Sequence, residues 1–262
     1  MYTKTTCRIH DKVEIEKHYS GRFGAPGMKR EKRCRKTPEE MARQNHWRRC
    51  RELRRIIELN FREGDWHCTL TCRKEARPDK EQAKKLIRIF RDKLRKEYKK
   101  RGWELKYVIS CETGERGAVH WHVIINNMHD HLTNTARIIN KVWEIGRTNF
   151  VPLDGTGDYK KLAEYIVKSA TKRIENGETV EKLSYMSSRN LIRPVVQKEE
   201  VRAASWKKQP KVPEGWELVP DSLVNGINKF TGLPYQHYTI RRKEVRHYAD
   251  SGYLHRHRHK GT

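Results

Sequence analysis

The sequence predicts an α+β fold built on an antiparallel sheet, and three observations carry that prediction. Residues 119–126 alternate, with His120 and His122 on one side and Trp121, Val123 and Ile125 on the other, which is the period of a strand covering an apolar core. Residues 105–112, with Tyr107, Val108 and Ile109 at their centre, read as a neighbouring strand, and Gly114 and Gly117 suit the connection of a hairpin. Between the strands lie segments whose apolar residues recur at helical spacing.

The elements follow in chain order. Residues 1–37 are basic, with a Gly/Pro stretch from Gly21 to Gly27 and a cluster from Lys29 to Lys36, and read as an arm that orders on a partner. Thr37-Pro38-Glu39-Glu40 is a helix start, with Thr as N-cap, Pro at the first position and acids in the first turn. That helix runs to about Asn60 and carries Arg48, Arg49, Arg51, Arg54 and Arg55 around a stripe of Leu53, Ile56 and Ile57. Residues 66–72 read as a strand. Residues 79–100 read as a helix with Ala83, Leu86, Ile87, Phe90 and Leu94 on one face. After the hairpin come a helix at 132–144, a short strand at 147–152 and an added helix at 156–175. The order strand, helix, strand, strand, helix, strand is the ferredoxin-like, RRM-like βαββαβ pattern, with helices on one face of the sheet and an open face left for the histidines. Three parts result: residues 1–60 as a basic arm and helix, 61–203 as the central domain, and 204–262 as an extended basic segment, interrupted by prolines and draped over the core.

Composition narrows the partner. Lys and Arg number 58 against 33 Asp and Glu, a net charge of +25, and only 35% of residues are hydrophobic. That balance favours a polyanion, nucleic acid before membrane. No run approaches the roughly 20 apolar residues of a membrane span, and the N-terminus lacks the apolar segment of a signal peptide. The six cysteines form no Cys-x-x-Cys pair; a reduced, cytoplasmic protein is expected. No Gly-x-x-x-x-Gly-Lys-Ser/Thr loop is present, which excludes a recognisable ATPase motor.

Two chemistries stand out. If the hairpin closes symmetrically, Glu112 lies opposite His120, giving a His120/His122/Glu112 set with open coordination positions. Mixed oxygen and imidazole donors suit Mn²⁺ or Mg²⁺. A slip of one residue would turn Glu112 to the other face. On the last helix, Lys161, Tyr165, Lys168 and Lys172 follow one another at i, i+4, i+7 and i+11, beside an apolar stripe of Leu162, Ala163, Ile166, Val167 and Ala170. A phenol is a poor nucleophile at its free pKa of about 10; neighbouring ammonium groups stabilise the phenolate, and a metal polarises a phosphate.

These motifs, in this order, resemble those of HUH endonucleases of the rolling-circle replication initiator (Rep) class. Thr69-Leu70-Thr71 matches the first motif, Glu112 with His120-Trp121-His122 the second, and Tyr165-Ile166-Val167-Lys168 the third; the resemblance covers roughly residues 60–200. It implies a tyrosine that attacks a phosphodiester of single-stranded or hairpin origin DNA, stays joined to the 5′ phosphate and frees a 3′ hydroxyl as primer. By position, Tyr165 is the nucleophile, Lys168 orients phosphate or phenolate, and Glu112, His120 and His122 hold the metal. Only one tyrosine occupies the motif, and no helicase domain is fused, so a host helicase and polymerase are expected partners. Thr69, Thr71, Lys161, Lys172, Arg48, Arg51 and Arg55 are candidate DNA contacts. A conjugative relaxase or single-strand transposase would share the chemistry. A non-catalytic RRM-like module would bind single strands on its sheet, but such modules present stacking aromatics where this strand presents histidines.

Overall fold

The computed structural model describes residues 1–19, 36–114, 118–155, 158–175 and 185–243. Among these, four α-helices and two antiparallel sheets make a mixed α/β architecture. The strands and helices expected between residues 66 and 175 are all present: β3 (Trp66–Thr71), α2 (Lys80–Lys100), β4 (Tyr107–Thr113), β5 (Val119–Ile125), α3 (Thr135–Val142), β6 (Thr148–Pro152) and α4 (Lys160–Glu175). With β7 (Met186–Ser187) the strands form one sheet in the order β6-β3-β5-β4-β7, every pair antiparallel.

Each face of this sheet has its own core. Trp121, Val123 and Ile125 of β5, Leu70 of β3 and Ile109 of β4 pack against Phe90, Leu94 and Tyr98 of α2 and Ile138 and Ile139 of α3. Asp79 and Gln82 form a capping box that starts α2. The opposite face is not open, as the sequence pattern led one to expect. α1 (Pro38–Asn60) and α4 cover much of it, burying Leu53, Ile56 and Ile57 against Ala163, Ile166 and Val167 and against Val108 and Ile124 of the sheet. α1 begins as expected, with Thr37 accepting from the Glu40 N–H and the Glu40 carboxylate accepting from the Thr37 N–H.

Residues before α1 and after β7 depart from expectation. In place of a basic arm, β1 (Tyr2–Ile9) and β2 (Lys12–His18) form a hairpin. In place of a draped extended segment, β8 (Val196–Val201), β9 (Trp216–Leu218), β10 (Val224–Ile227) and β11 (Pro234–Arg242) join that hairpin in a second sheet ordered β10-β11-β2-β1-β8, with β9 on β11. The expected boundary near 203 therefore falls just after a strand of this second sheet. One of its faces packs Ile15, Tyr238 and Ile240 with Trp216 and Leu218. The other meets α1 through charge: Arg54 and Arg55 both donate to Glu14, and Arg51 donates to Glu16 at 3.0 Å. Burial alone would raise the Glu14 carboxyl, but the two guanidinium groups hold it below its ordinary value. The Gly21–Gly27 stretch, the basic cluster up to Arg35 and the histidine-rich tail lie outside the described residues.

Candidate active site

The site is assembled where β3, β4 and β5 present one face to α4. Cross-strand register places Glu112 opposite His120, Ser110 opposite His122, Thr69 opposite His122 and Thr71 opposite His120. Directly paired residues share a face, so Glu112, His120, His122, Thr69 and Thr71 all lie on the α4 side. Tyr165 stands beside the buried Ile166 of α4, at the margin of the helix contact, and is 46% exposed. From there its Oη lies 3.2 Å from His122 Nε2. The same nitrogen lies 3.1 Å from Glu112 Oε2, and His122 Nδ1 is 3.4 Å from Thr69 Oγ1.

These contacts constrain protons. With Glu112 ionised, Nε2 carries the hydrogen that faces the carboxylate, and Nδ1 is left to accept from the Thr69 hydroxyl. His122 is 3% exposed. Burial pushes its pKa down, while Glu112 pulls in the opposite sense and loses. Burial, and then the Glu112 charge, raise the Tyr165 phenol above its ordinary value. At neutral pH the structure thus holds a neutral imidazole against a neutral phenol. The phenol needs activation before it acts as a nucleophile.

One residue of this face escaped the sequence reading. His67 lies two positions before Thr69 on β3; its ring is 5.5 Å from that of His122 and 6.3 Å from that of Tyr165. Its Nε2 is buried without a hydrogen-bond partner, and burial, helped by His122, lowers its pKa to about 4. The signal was available: once Thr69 and His122 are taken to share a face, strand alternation puts His67 on it too.

The other expected residues are distributed unequally. Thr71 Oγ1 donates to the Arg147 carbonyl at 3.2 Å, so it ties β3 to the segment before β6. Lys161 is exposed and lines a hollow together with Tyr165. Arg48 is exposed on α1. Arg51 is half-buried in its pair with Glu16. Arg55 does not face solvent: it is 8% exposed and committed to Glu14, which corrects its assignment as a DNA contact. Tyr159 is buried in the second core, away from the site. Lys168 and Lys172 belong to α4, but their side chains lie outside the described residues.

Among the described residues, no three His, Cys, Asp or Glu side chains converge closely enough to hold an ion as they stand. Glu112 and His122 are in contact, and His120 completes a donor set on the same face by register. That set of one carboxylate and two imidazoles matches a hard or borderline divalent ion in chemistry. No helix among the described residues is long and apolar enough to cross a membrane.

No curated protein and no solved structure matches this chain. Residues 65–173, which include β3 to β6, α2, α3 and most of α4, match the family described as replication-associated protein, of the ORF2 type; the match supports a replication-initiator, Rep-like family for this chain, and with it DNA binding.

Proposed function

We propose that this protein is a rolling-circle replication initiator that nicks single-stranded origin DNA through Tyr165, working on a ferredoxin-like palm formed by β3-α2-β4-β5-α3-β6. The observation that carries the proposal is the chain of contacts from Tyr165 Oη to His122 Nε2 at 3.2 Å and on to Glu112 at 3.1 Å. It brings three motifs that are far apart in sequence to one point. The all-antiparallel order with β3 and β5 central supports the palm.

In the proposed reaction the Tyr165 oxygen attacks phosphorus and the bond from phosphorus to the 3′ oxygen breaks. The phosphate is left on the tyrosine and the 3′ oxygen takes a proton. Because the phosphodiester is conserved, the reverse attack by a 3′ hydroxyl rejoins a strand. Glu112, His120 and His122 would hold a Mn²⁺ or Mg²⁺ ion, which when bound supplies Lewis-acid polarisation of the scissile phosphate. Thr69 then fixes the His122 ring through Nδ1, as the outer partner of a ligating imidazole does. Lys161, one turn before Tyr165, stabilises the phenolate and the charge that develops on phosphate, and Lys168 serves the same end one turn later. A host helicase and polymerase would act on the freed 3′ end.

The test is incubation of labelled single-stranded and hairpin DNA pools with Mn²⁺. A denaturation-resistant protein–DNA adduct is expected, lost in Tyr165→Phe and lost with chelator. Binding across diverse pools with no adduct in the wild type would overturn the enzyme and leave a single-strand-binding module.

A further inference from the structure

Trp47 is the most conspicuous aromatic residue on α1. It is 54% exposed, whereas the helix buries its aliphatic stripe. Two hollows of about 400 Å³ each adjoin it. Trp47 and Cys50 line both; Arg51 lines only one, and Tyr165 and Lys161 line only the other. The Arg51 guanidinium sits 4.3 Å from the indole centroid and is itself tied to Glu16 of β2, so one side of the indole is occupied by a fixed cation. The remaining side belongs to the hollow that also contains the phenol.

We propose that this second hollow is a nucleobase site: one unpaired base of single-stranded DNA, next to the phosphate presented to Tyr165, stacks on Trp47. The proposal rests on the reading of Tyr165 as the nucleophile and adds to it a contact from a helix outside the matched segment 65–173. Three observations favour this occupant. A volume of about 400 Å³ lies in the lower part of the range that holds a small organic ligand, as a base with its sugar is. An indole with a π-face toward a hollow accepts any base, and stacking on aromatics is how unpaired strands are held without a duplex. The charges also orient a nucleotide. Lys161 at the rim attracts phosphate on the Tyr165 side, while Glu164 on the same rim repels phosphate and accepts from a base amino group. A strand laid this way threads between α1 and α4, with its bases toward α1 and its backbone toward the phenol.

The test uses the full chain with chelator present, so that binding is read without cleavage. Anisotropy of a short labelled single strand is measured for wild type, Trp47→Ala, Trp47→Phe and Tyr165→Phe. Loss of one stacked base predicts about tenfold weaker binding in Trp47→Ala. The dependence on salt should be unchanged, because no phosphate contact is removed, and Trp47→Phe should recover most of the affinity. Equal binding by Trp47→Ala and wild type overturns the base site, as does a Trp47→Ala loss that Trp47→Phe does not restore. An RNA strand of the same sequence that outcompetes the DNA overturns the DNA assignment. Adduct formation is scored separately. Adduct with no Trp47 effect leaves the nucleophile standing and removes the base site; a Trp47 effect with no adduct does the reverse. Failure of the wild type to bind any single strand removes both.

Discussion

Acid provides a quantitative check on the packing of the site face. His67 has a native pKa of about 4, because burial, and then the nearby His122, disfavour its cation. In the unfolded chain it returns to about 6.5. Between those values the unfolded chain binds a proton that the native protein does not, so stability falls as pH drops through 6.5 and levels off only below 4. Each pH unit in that window is worth about 1.4 kcal/mol, so acidification from pH 7 to pH 5 costs about 2 kcal/mol through this one residue. Urea denaturation of wild type and His67→Phe at pH 7, 6 and 5 isolates the effect. The variant keeps a ring in place and removes the titration, and His122 and His237, whose pKa values are also lowered by burial, titrate in both proteins. The two stability curves should separate by about 2 kcal/mol toward pH 5, with the variant the more stable. Parallel curves would mean that native His67 takes up its proton freely, and the packing of β3 against the Tyr165 side of the sheet would be refuted.

Further outcomes follow from other contacts. Glu14→Gln leaves Arg54 and Arg55 facing β2 without their counter-charge, and stability at neutral pH should fall by about 3 kcal/mol in denaturant melts. Since the Glu14 pKa is depressed in the fold, its contribution is present above about pH 4.5 and is lost as the pH falls through the native value, so the cost of Glu14→Gln should shrink in acid. A Cβ at Gly146 would lie 1.8 Å from the Thr71 carbonyl oxygen and 2.6 Å from its carbon, both backbone atoms of the site strand segment. Gly146→Ala should therefore lower Tm by roughly 10 °C, read by calorimetry. Affinity for single-stranded DNA should drop at least about tenfold between about 50 and about 200 mM salt, because a chain of charge +25 binds by releasing counterions; a flat titration would contradict phosphate contact by its lysines and arginines.

The sheet that carries the site could be read from sequence because its residues obey local rules. Trp121, Val123 and Ile125 alternate against His120 and His122, and Thr37 and Asp79 announce helices through reciprocal capping. Glu112 fell opposite His120 because the hairpin closes symmetrically. The second sheet was hidden by its chemistry. β1 and β2 carry Lys4, Arg8, Lys12, Glu14, Glu16 and Lys17, which on paper resemble a solvated arm. Glu14 is buried only because Arg54 and Arg55, some forty residues later, neutralise it, and no local pattern encodes a pairing at that separation. The same pairing took Arg55 out of the set of DNA contacts. The covering of the histidine face was missed for a similar reason: the stripe on α1 shows that a face is buried but not against which layer.

The pairing of Tyr2 with Val201 and of Ile15 with Tyr238 also fixes an order of events during synthesis. When α1 leaves the ribosome, the hairpin before it has no sheet to join, and its non-local partners emerge only after the whole site-bearing sheet has been made. High contact order of this kind makes assembly slow and late. The charged flank of α1, and with it the wall that holds Trp47 beside the tyrosine, matures only when β8 and β11 arrive. A nascent chain can fold the histidine face early, but the groove that would guide a strand into it closes last, which separates the making of Tyr165's surroundings from the moment the tyrosine is aimed.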